Sequence, residues 1–508
     1  MVAAENGALP HGKVGGVGDV LCHLPPALAA RGWETTVLTP AYGLFSELPG
    51  ARRSGMLEVP FAAGVEPVEV YEIPGPDARV HYRTLEHPVF SAHGPGRIYC
   101  DDGPDAPFYT DAGKFALFSA AAAALVLAEP NAWQVLHLHD WHTGLFFALR
   151  RFDPRCLPLR HIRSVFSIHN LAFQGTRPLR KSPSSLRAWF PQLRYRKPLI
   201  GDPRYADCVN PMAAAIRLAD KVHTVSPSYA EEIQRPSDAK SGFVGGEGLE
   251  EDLKATARQG RLTGILNGCD YPPDPAPRPS WEALVRVLRA ELGSWLAQPQ
   301  GRPAVHALAN QRAGRLPAAR PSVLLTSVGR TTAQKMRLFR ESVDGRSALQ
   351  AILEGLGGAG MFLMLGSGEP DYESFLSETM ARHENFLFLR GYSERLADTL
   401  YAAGDLFLMP SSFEPCGISQ MLAMRAGQPC VVHAVGGLKD TVDSGCGFPF
   451  DGTTPSEQAR HLVTAVERAR VLIGNGPRDW LSIRRSAAEK RFGWDVCAAR
   501  LDEEVYAV

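Results

Sequence analysis

Short apolar runs alternate with helical patterns along most of this chain, and that alternation restricts its fold more than any other feature. Runs rich in leucine and β-branched residues predict buried strands, and the helical segments between them predict parallel pairing. The sequence thus predicts an α/β fold, and its 508 residues are too many for one hydrophobic core, which predicts two large domains. The predicted strands are residues 35–38, 135–138, 165–168, 222–225, 323–327, 361–365, 386–389, 406–409 and 430–432.

Polar side chains come within a few residues of the end of several predicted strands. In open parallel sheets, ligands bind outside the carboxyl ends of the strands, so these side chains are the first candidates for a site. They are the side chains of His139, Asp140, His169, Asn170, Arg330 and Glu414.

A proline-rich run at residues 271–279 can continue neither a helix nor a central strand, and it predicts a linker. We therefore predict a first domain at residues 1–275, a linker region at 276–320 and a second domain at 321–489. Near the end of the chain, residues 494–506 predict an amphipathic helix with apolar Val496, Ala499, Leu501 and Val505.

Composition excludes several partners. Lys+Arg and Asp+Glu both number 54, so no net charge attracts the chain to nucleic acid or to an anionic membrane. The nine scattered cysteines argue against a disulfide framework or a zinc site and predict a cytoplasmic location. Glu5 and Lys13 interrupt any secretory signal. The longest apolar run, residues 115–128, is too short to span a bilayer and predicts a buried, alanine-rich helix.

The stretch at residues 409–420 predicts a site for an anionic ligand. A buried strand ends there in a polar loop that carries Glu414, and a helix is predicted to begin at Ser419. The peptide N–H groups of Gly417, Ile418 and Ser419 suit a phosphate, and Glu414 can hold hydroxyl groups beside it. Together these features predict a sugar-nucleotide site.

Residues 13–19 form a glycine-rich turn before a predicted helix. Gly15 and Gly16 let the backbone approach a ligand, Lys13 supplies a positive charge for phosphate, and Asp19 lies at the helix start. The turn is neither a nucleotide-binding P-loop nor a G-x-G-x-x-G fingerprint, which argues against an NAD-dependent oxidoreductase. From the residues alone, a plain glycine turn is as good an interpretation as a phosphate contact.

The run at residues 137–142 contains three histidines and one carboxylate. Strand geometry puts His137 and His139 on one face without implying a third metal ligand, so no metal site is predicted. The alternative is that Asp140 and Trp141 face a ligand, with the carboxylate accepting from hydroxyl groups and the ring offering a sugar a flat surface.

Two cations, Arg330 and Lys335, follow the predicted strand at residues 323–327. At a strand-to-helix turn they can grip one diphosphate, Arg330 through its fork and Lys335 as a point charge. The alternative is two solvated surface bases. His169 alone is more often structural, but it shares its position after a strand with Asp140 and Glu414, where a cleft between two α/β domains would collect them.

Eight motifs stand in one order along the chain: KVGGVGD at residues 13–19, HDWH at 139–142, IHNLAFQG at 168–175, TVSPSYA at 224–230, GEGL at 246–249, ILNGCD at 265–270, Gly329-Arg330 with Lys335, and FEPCG at 413–417. In these motifs the chain resembles the bacterial glycogen synthase and plant starch synthase family over nearly its full length. The resemblance implies the GT-B fold, in which two Rossmann-like domains surround a deep cleft. It also implies a last helix, at about residues 490–508, that crosses back to the first domain.

The same resemblance implies a reaction. Glucose would pass from ADP-glucose to the non-reducing 4-hydroxyl end of an α-1,4-glucan, with retention of configuration and without a metal or other cofactor. Glu414 would bind the donor glucose, His169 would lie beside the reacting carbon, and Asp140 would help to position the sugar. Asn170 would contribute to substrate binding. The groups that would bind the phosphates are Arg330, Lys335 and residues 417–419, with Lys13 and Gly16 from the other domain.

Four residues depart from the family's usual motifs. Met336 replaces a glycine, Ser412 replaces an arginine, and His433 and Val435 replace an arginine and a threonine. We expect the changes at Met336 and Ser412 to weaken donor binding, and His433 and Val435 to lie in the region that binds the donor. The alternatives are a related glycosyltransferase that uses UDP-glucose or a small acceptor, and a glucan-binding or regulatory protein that has lost turnover.

Overall fold

The computed structural model of the protein describes residues 1–272, 277–297 and 303–507. They divide into two compact units. Unit 1 contains residues 1–237, Gly245–Asp270 and the chain from Gly493 onward, and unit 2 contains Asp238–Val244 and Tyr271–Phe492. The predicted boundary between residues 275 and 276 lies outside the described residues, as do residues 298–302 of the predicted linker region.

Unit 1 is built on a sheet of two halves joined by Val2, and its strands are parallel except for the antiparallel pairing among the strands of residues 52–86. The first half has the order β1-β4-β3-β2 and the second the order β10-β9-β6-β5, and Val2 bridges to Leu38 of β1 and to Leu138 of β5. The strands are β1 (Thr35–Pro40), β2 (Arg52–Phe61), β3 (Gly64–Ile73), β4 (Val80–Glu86), β5 (Val135–His139), β6 (Arg163–Ile168), β7 (Arg177–Pro178), β8 (Cys208–Val209), β9 (Lys221–Thr224) and β10 (Leu262–Gly264).

The helices of unit 1 cover this sheet. They are α1 (Gly16–Ala30), α2 (Tyr109–Ala128), α3 (Gly144–Phe152), α4 (Leu186–Trp189), α5 (Lys197–Ile200), α6 (Pro211–Leu218), α7 (Pro227–Glu232) and α8 (Glu250–Arg258), with 3-10 turns at Phe45–Glu47, Pro88–Ser91, Trp141–Thr143 and Pro154–His161. By length and composition α2 could cross a membrane, yet 78% of its most apolar window is buried inside the protein. It is the buried, alanine-rich helix that the sequence predicts.

Unit 2 contains a six-stranded parallel sheet with the order β15-β14-β11-β16-β17-β18. Its first strand in the chain, β11, lies at the centre, and the later strands extend to one side and then to the other, which is the doubly wound Rossmann-like topology. The strands of unit 2 are β11 (Val323–Val328), β12 (Ser342–Val343), β13 (Arg346–Ser347), β14 (Gly360–Gly366), β15 (Phe386–Arg390), β16 (Leu406–Met409), β17 (Cys430–His433) and β18 (Gly447–Phe450).

Helices of unit 2 pack a continuous apolar core against that sheet. They are α9 (Trp281–Leu296), α10 (Pro303–Gly314), α11 (Ala333–Arg340), α12 (Ala348–Leu356), α13 (Pro370–Arg382), α14 (Glu394–Ala403), α15 (Ser419–Arg425), α16 (Gly436–Thr441), α17 (Pro455–Asn475) and α18 (Pro477–Glu489), with a 3-10 turn at Gly357–Ala359. Short βα loops bring the polar residues after β11 and β16 to one edge of the sheet.

The last segment of the chain returns to unit 1, as the family resemblance implies. Helix α19 (Trp494–Arg500) continues as a π-helix over Leu501–Tyr506, and Trp494 stacks on His23 of α1. The apolar face was predicted wrongly at one position, since Val496 is 54% exposed, whereas Cys497 and Ala498 are buried. The buried residues Trp494, Cys497, Ala498 and Leu501 recur at α-helical spacing, and Val496 lies off that face.

Candidate functional site

Asp140 lies at the carboxyl end of β5 in unit 1, with its side chain buried. Its backbone has a φ of 55°, a conformation that costs a non-glycine residue about 1–3 kcal/mol and that clusters at functional sites. The carboxylate accepts from the peptide N–H of His169, 2.8 Å away, and more weakly from that of Asn170 at 3.5 Å. Burial raises the pKa of this carboxyl to about 7, against the opposing effect of these two bonds.

His169 and Asn170 are half-buried and begin the loop after β6, the neighbour of β5. The His169 Nε2 lies 2.9 Å from Nδ1 of His139, within hydrogen-bond distance. Burial lowers the pKa of His169 to about 3, so the ring is neutral near pH 7. The Asn170 side-chain oxygen accepts from the N–H of Ala172, which shapes the start of the loop. The sequence-predicted residues Asp140, His169 and Asn170 therefore form one connected group.

The prediction that the Trp141 ring faces a ligand was wrong. Trp141 is 4% exposed and packs edge-on against Phe108 and Phe115 in the core of unit 1. Gly175, at a φ of 65°, lies against the ring so closely that a Cβ there would come 2.0 Å from it. The tryptophan is an apolar support for the loop that carries His169.

The glycine-rich turn is held by a residue that the sequence did not single out. One Glu5 carboxylate oxygen accepts from the peptide N–H groups of Val14 at 2.9 Å, Gly15 at 2.7 Å and Gly18 at 3.2 Å. The other accepts from the hydroxyl of Tyr99 at 2.7 Å. The Gly15 N–H is thus directed to a carboxylate of the protein itself, which fixes the shape of the turn.

The exposed part of the same turn carries a cation. The Lys13 Nζ lies 2.6 Å from the carboxylate of Asp19, and the Lys13 side chain is 46% exposed. Gly16 is exposed at the first position of α1, and a Cβ there would meet no neighbour. Lys13, Gly16 and Asp19 therefore lie together at the start of α1, as predicted, with the lysine able to exchange its partner.

In unit 2, Glu414 and Lys335 form a buried ion pair. Their side chains are 8% and 16% exposed, and Glu414 also accepts from the Ser411 hydroxyl at 2.9 Å. Glu414 follows β16, and Lys335 lies in the first turn of α11, which follows β11. The Gln334 side chain donates to the carbonyl of Phe413 at 2.9 Å and so ties the two βα loops together.

Arg330 stands apart from that pair. It is exposed at the end of β11, and its guanidinium has no hydrogen-bond or ion-pair partner within the part of the chain that the structure describes. Residues 417–419 are half-buried, and Gly417 takes a φ of 78°, which a residue with a side chain rarely adopts. Helix α15 begins at Ser419, as predicted.

These groups of unit 2 follow the two strands at which the winding of the sheet reverses. The direction of winding in unit 2 reverses between β11 and β16, which pair side by side. In doubly wound sheets the crevice for ligands opens outside the carboxyl ends of the strands at that reversal. Arg330 and Lys335 follow one of these strands, and Glu414 and Gly417 follow the other.

A large cavity of unit 1 lies away from these groups. Its volume is about 880 Å³, and it is lined by Thr35 and Thr36 of β1 and by Val135 of β5, residues that begin their strands. It therefore opens at the edge opposite to Asp140 and His169. Across the described residues there is no group of three or more His, Cys, Asp or Glu side chains arranged to hold a metal ion.

Comparison with known proteins decides the family. The family model described as "Starch synthase catalytic domain" matches residues 1–255, and that described as "Glycosyl transferases group 1" matches residues 325–469. A glycogen synthase of Streptococcus equi subsp. equi is 33% identical over 98% of this chain and 97% of its own length. The chain belongs to the glycogen and starch synthase family. A glycogen synthase of Anaeromyxobacter dehalogenans is 35% identical over 99% of this chain and 97% of its own length.

A solved member of this glycosyltransferase family has the same fold. The catalytic domain of starch synthase IV from Arabidopsis thaliana, bound to ADP and acarbose, superposes with a TM-score of 0.77 at 28% identity. The match covers 99% of this chain and 97% of that one. The predicted family and GT-B fold class are thereby confirmed, and so is the predicted class of enzyme.

The departures from the usual family motifs have structural roles. Met336 is 2% exposed in the core of unit 2, so its side chain points away from Lys335 and the loop ends. The Ser412 hydroxyl and peptide N–H both donate to the Gln334 carbonyl. His433 donates from Nδ1 to the Ser411 carbonyl at 3.0 Å, which steadies the loop that carries Glu414. Val435 is half-buried and precedes α16.

Sequence reasoning missed the residues that hold the predicted ones in place. Their bonds span long distances in the chain, as between Glu5 and Tyr99 or between His139 and His169, and no local pattern marks them. Ser411 lay within the predicted motif, and its hydroxyl three residues before Glu414 was the available signal.

Proposed function

We propose that this protein is a glucan synthase that transfers glucose from ADP-glucose to the non-reducing 4-hydroxyl end of an α-1,4-glucan, with retention of configuration. The observation that carries the proposal is the similarity of nearly the whole chain to glycogen synthases. The ADP bound to starch synthase IV favours an adenine nucleotide as the leaving group.

We assign the donor diphosphate to the strand ends of unit 2. Arg330 is exposed there without a hydrogen-bond or ion-pair partner among the described residues, and its fork matches the oxygens of a phosphate. Lys335 would turn from Glu414 to the leaving phosphate, so that its charge is present where negative charge develops in the transition state. This exchange would free the Glu414 carboxylate to accept from hydroxyl groups of the donor glucose. The N–H groups of residues 417–419 would add further donors.

We assign the reacting glucose to the strand ends of unit 1. Asp140 holds the peptide N–H of His169, which fixes the loop beside which the sugar would lie. The neutral ring of His169 can donate to or accept from a sugar oxygen, and Asn170 offers an amide next to it. Lys13, whose partner Asp19 is itself partly exposed, would bind phosphate oxygens.

The reaction needs no protein nucleophile in this proposal. The bond between the glucose carbon and the diphosphate oxygen breaks, and the acceptor 4-hydroxyl bonds to that carbon on the same face. The departing phosphate oxygen takes the proton of the acceptor hydroxyl. Arg330 and Lys335 supply the positive charge that stabilises the departing diphosphate, so that no metal is required.

The test measures incorporation of labelled glucose into glycogen from ADP-glucose and from UDP-glucose in parallel, with EDTA present and Glu414→Ala as the blank. We expect incorporation from ADP-glucose that is abolished in the variant. Incorporation from UDP-glucose alone would reassign the donor. Binding of glycogen without use of either donor would indicate a glucan-binding protein and overturn the proposal.

A further inference from the structure

A cluster of four imidazoles lies behind Asp140 and His169. His137 and His139 belong to β5, His169 follows β6, and His223 belongs to β9, three strands that are neighbours in unit 1. The ring of His139 is 1% exposed and lies between two others, stacked on His137 at 4.2 Å and hydrogen-bonded to His169. None of the roles proposed above uses His139.

The orientation of the His139 ring is fixed from behind. His137, on which it stacks, has both ring nitrogens occupied, Nδ1 by the hydroxyl of Tyr506 and Nε2 by the hydroxyl of Ser167, each at 2.6 Å. The ring of His137 therefore cannot turn without breaking two hydrogen bonds, and it forms a fixed face on which His139 stacks. The Nδ1 of His139 is held in place facing His169.

Only one of the two rings can donate in the bond between them. Burial lowers the pKa of His139 well below its ordinary value and that of His169 to about 3, so both rings are neutral near pH 7. A neutral imidazole carries its hydrogen on one nitrogen and a lone pair on the other, and a bond made by one nitrogen decides the state of both. The question is which ring donates.

The surroundings of the other ring nitrogen of His139 decide which ring donates. Its Nε2 is buried and has no hydrogen-bond partner among the described residues. If His169 donated, His139 would carry its hydrogen on Nε2 and bury an N–H group without an acceptor, and in folded proteins such N–H groups are rarer than unpaired acceptors.

We propose that His139 is a positioning residue that donates from Nδ1 to Nε2 of His169 and thereby fixes His169 as the tautomer with its hydrogen on Nδ1. Asp140 holds the peptide N–H of the same residue, so its main chain and its ring are both set by β5. His169 then presents a hydrogen-bond donor at its exposed edge and does not act as a proton acceptor there. That this donor meets a sugar oxygen rests on the proposed function.

The tautomer can be read without substrate. The full-length protein is labelled with ¹⁵N-histidine, and long-range proton–nitrogen correlations are recorded near pH 7, with the His169 signals assigned by their disappearance in His169→Gln. We expect His169 to show a protonated Nδ1 and an unprotonated Nε2. A protonated Nε2 on His169 would overturn the proposal, whatever activity the protein has.

Substitutions at His139 distinguish a role in positioning the His169 ring from a purely structural role in packing. His139→Asn keeps an N–H donor near the position of Nδ1, whereas His139→Leu removes it, and His161→Asn on the exposed surface is the matched control. We expect the leucine variant to show mixed tautomers at His169 and a kcat about 10-fold lower with little change in KM, the scale expected for removing one hydrogen bond. The asparagine variant should keep the wild-type tautomer and most of the kcat.

Equal behaviour of the leucine and asparagine variants, in spectrum and in kcat, would contradict the positioning role. If the leucine variant does not fold, the wild-type spectrum and the asparagine variant still decide. If the wild-type protein transfers no glucose, the proposed function fails, while the tautomer of His169 continues to test the role of His139.

Discussion

The strand ends of the two units hold their functional groups by opposite means. In unit 1, Asp140 and His169 are fixed by hydrogen bonds among buried groups whose pKa shifts favour the neutral forms. In unit 2, Lys335 and Glu414 are buried as an ion pair, with Arg330 exposed nearby in sequence. A neutral network keeps its geometry when a ligand arrives, whereas a buried ion pair must exchange partners.

This difference fits the tasks proposed above for the two regions. A site that positions a sugar needs a rigid frame, and the linked imidazoles of unit 1 provide one. A site that takes up and releases a diphosphate needs charges that can move between partners. In the ion pair of unit 2, each charge has the other as its partner until a ligand arrives.

The largest effect is expected from breaking the ion pair of unit 2. Glu414→Ala or Lys335→Ala should lower turnover at least ~100-fold, the scale expected when one electrostatic interaction that stabilises the transition state is removed. Initial rates of glucose transfer from ADP-glucose measure this. Lys490→Ala, which removes an exposed pair with Asp443 in the same unit, is the control and should have little effect. Near wild-type rates in either site variant would refute the assigned roles.

Acid should destabilise unit 1 before unit 2. Burial lowers the pKa of His142 and His169 to about 3 and that of His223 to about 4, below the ordinary 6.5, so the unfolded chain binds more protons as the pH falls through 6.5. Stability is present above pH 6.5 and is lost below it. Between pH 7 and pH 5.5 each of these three histidines removes about 1.2 kcal/mol of stability, whereas the raised pKa of Asp140 returns about 1.6 kcal/mol, so we expect the free energy of unfolding to fall by about 2 kcal/mol.

Hydrogen exchange read by mass spectrometry, corrected for the intrinsic effect of pH, locates this destabilisation. Peptides from β5, β6 and β9 should lose protection first. Earlier deprotection in the six-stranded sheet of unit 2 would show that the buried histidines do not limit stability in acid.

A smaller effect is expected at the exposed cation of unit 2. Arg330→Ala should raise the KM for ADP-glucose about 10-fold, because the variant cannot form one charge-assisted hydrogen bond to phosphate while no internal bond is broken. Arg330→Lys should restore part of the affinity, since it keeps the charge without the fork. Arg346→Ala, an exposed arginine paired with Glu354, serves as the control. An unchanged KM in Arg330→Ala would show that Arg330 is a solvated surface residue that does not bind the donor.

The smallest effect concerns the raised pKa of Asp140. Because the folded-state pKa is about 7 and the ordinary value 3.8, the folded protein binds the proton more tightly. The resulting stability is present at low pH and is lost as the pH rises through 7. Relative to Asp140→Asn, the wild-type protein should gain about 1 kcal/mol between pH 8 and pH 6 in denaturant unfolding. A constant difference across this range would mean that Asp140 titrates in its ordinary range.

The fold was predictable where burial is continuous along a strand. Fully buried parallel strands form apolar runs, and the predicted run at residues 406–409 matches β16 as observed. The long hairpin of β2 and β3 was missed because most residues of Arg52–Phe61 are exposed and polar residues interrupt the apolar ones, so no continuous apolar run marks the strand. The domain boundaries and the roles of the site residues remain predictions.

The site was predictable as far as its residues stand in local motifs. Asp140, His169 and Glu414 follow strands, and their position alone singled them out. Trp141 was misassigned because a ring next to a site residue can point either toward the ligand or into the core. Packing against Phe115 places it in the core. The hydrogen bond from His139 to His169 connects residues at the ends of two neighbouring strands, and no sequence pattern in either strand predicts it.

The return of the last segment to unit 1 has a consequence for how the protein is made. Tyr506 completes the bonds of His137, so the framework behind His169 needs a residue near the end of the described chain. Unit 2 is inserted into the sequence of unit 1, and the ribosome delivers it whole before the last helix of unit 1 emerges. Unit 2 can therefore mature during synthesis. The first unit to be started is the last to be finished, and a chain stopped before Trp494 should contain a folded unit 2 beside an unfinished unit 1.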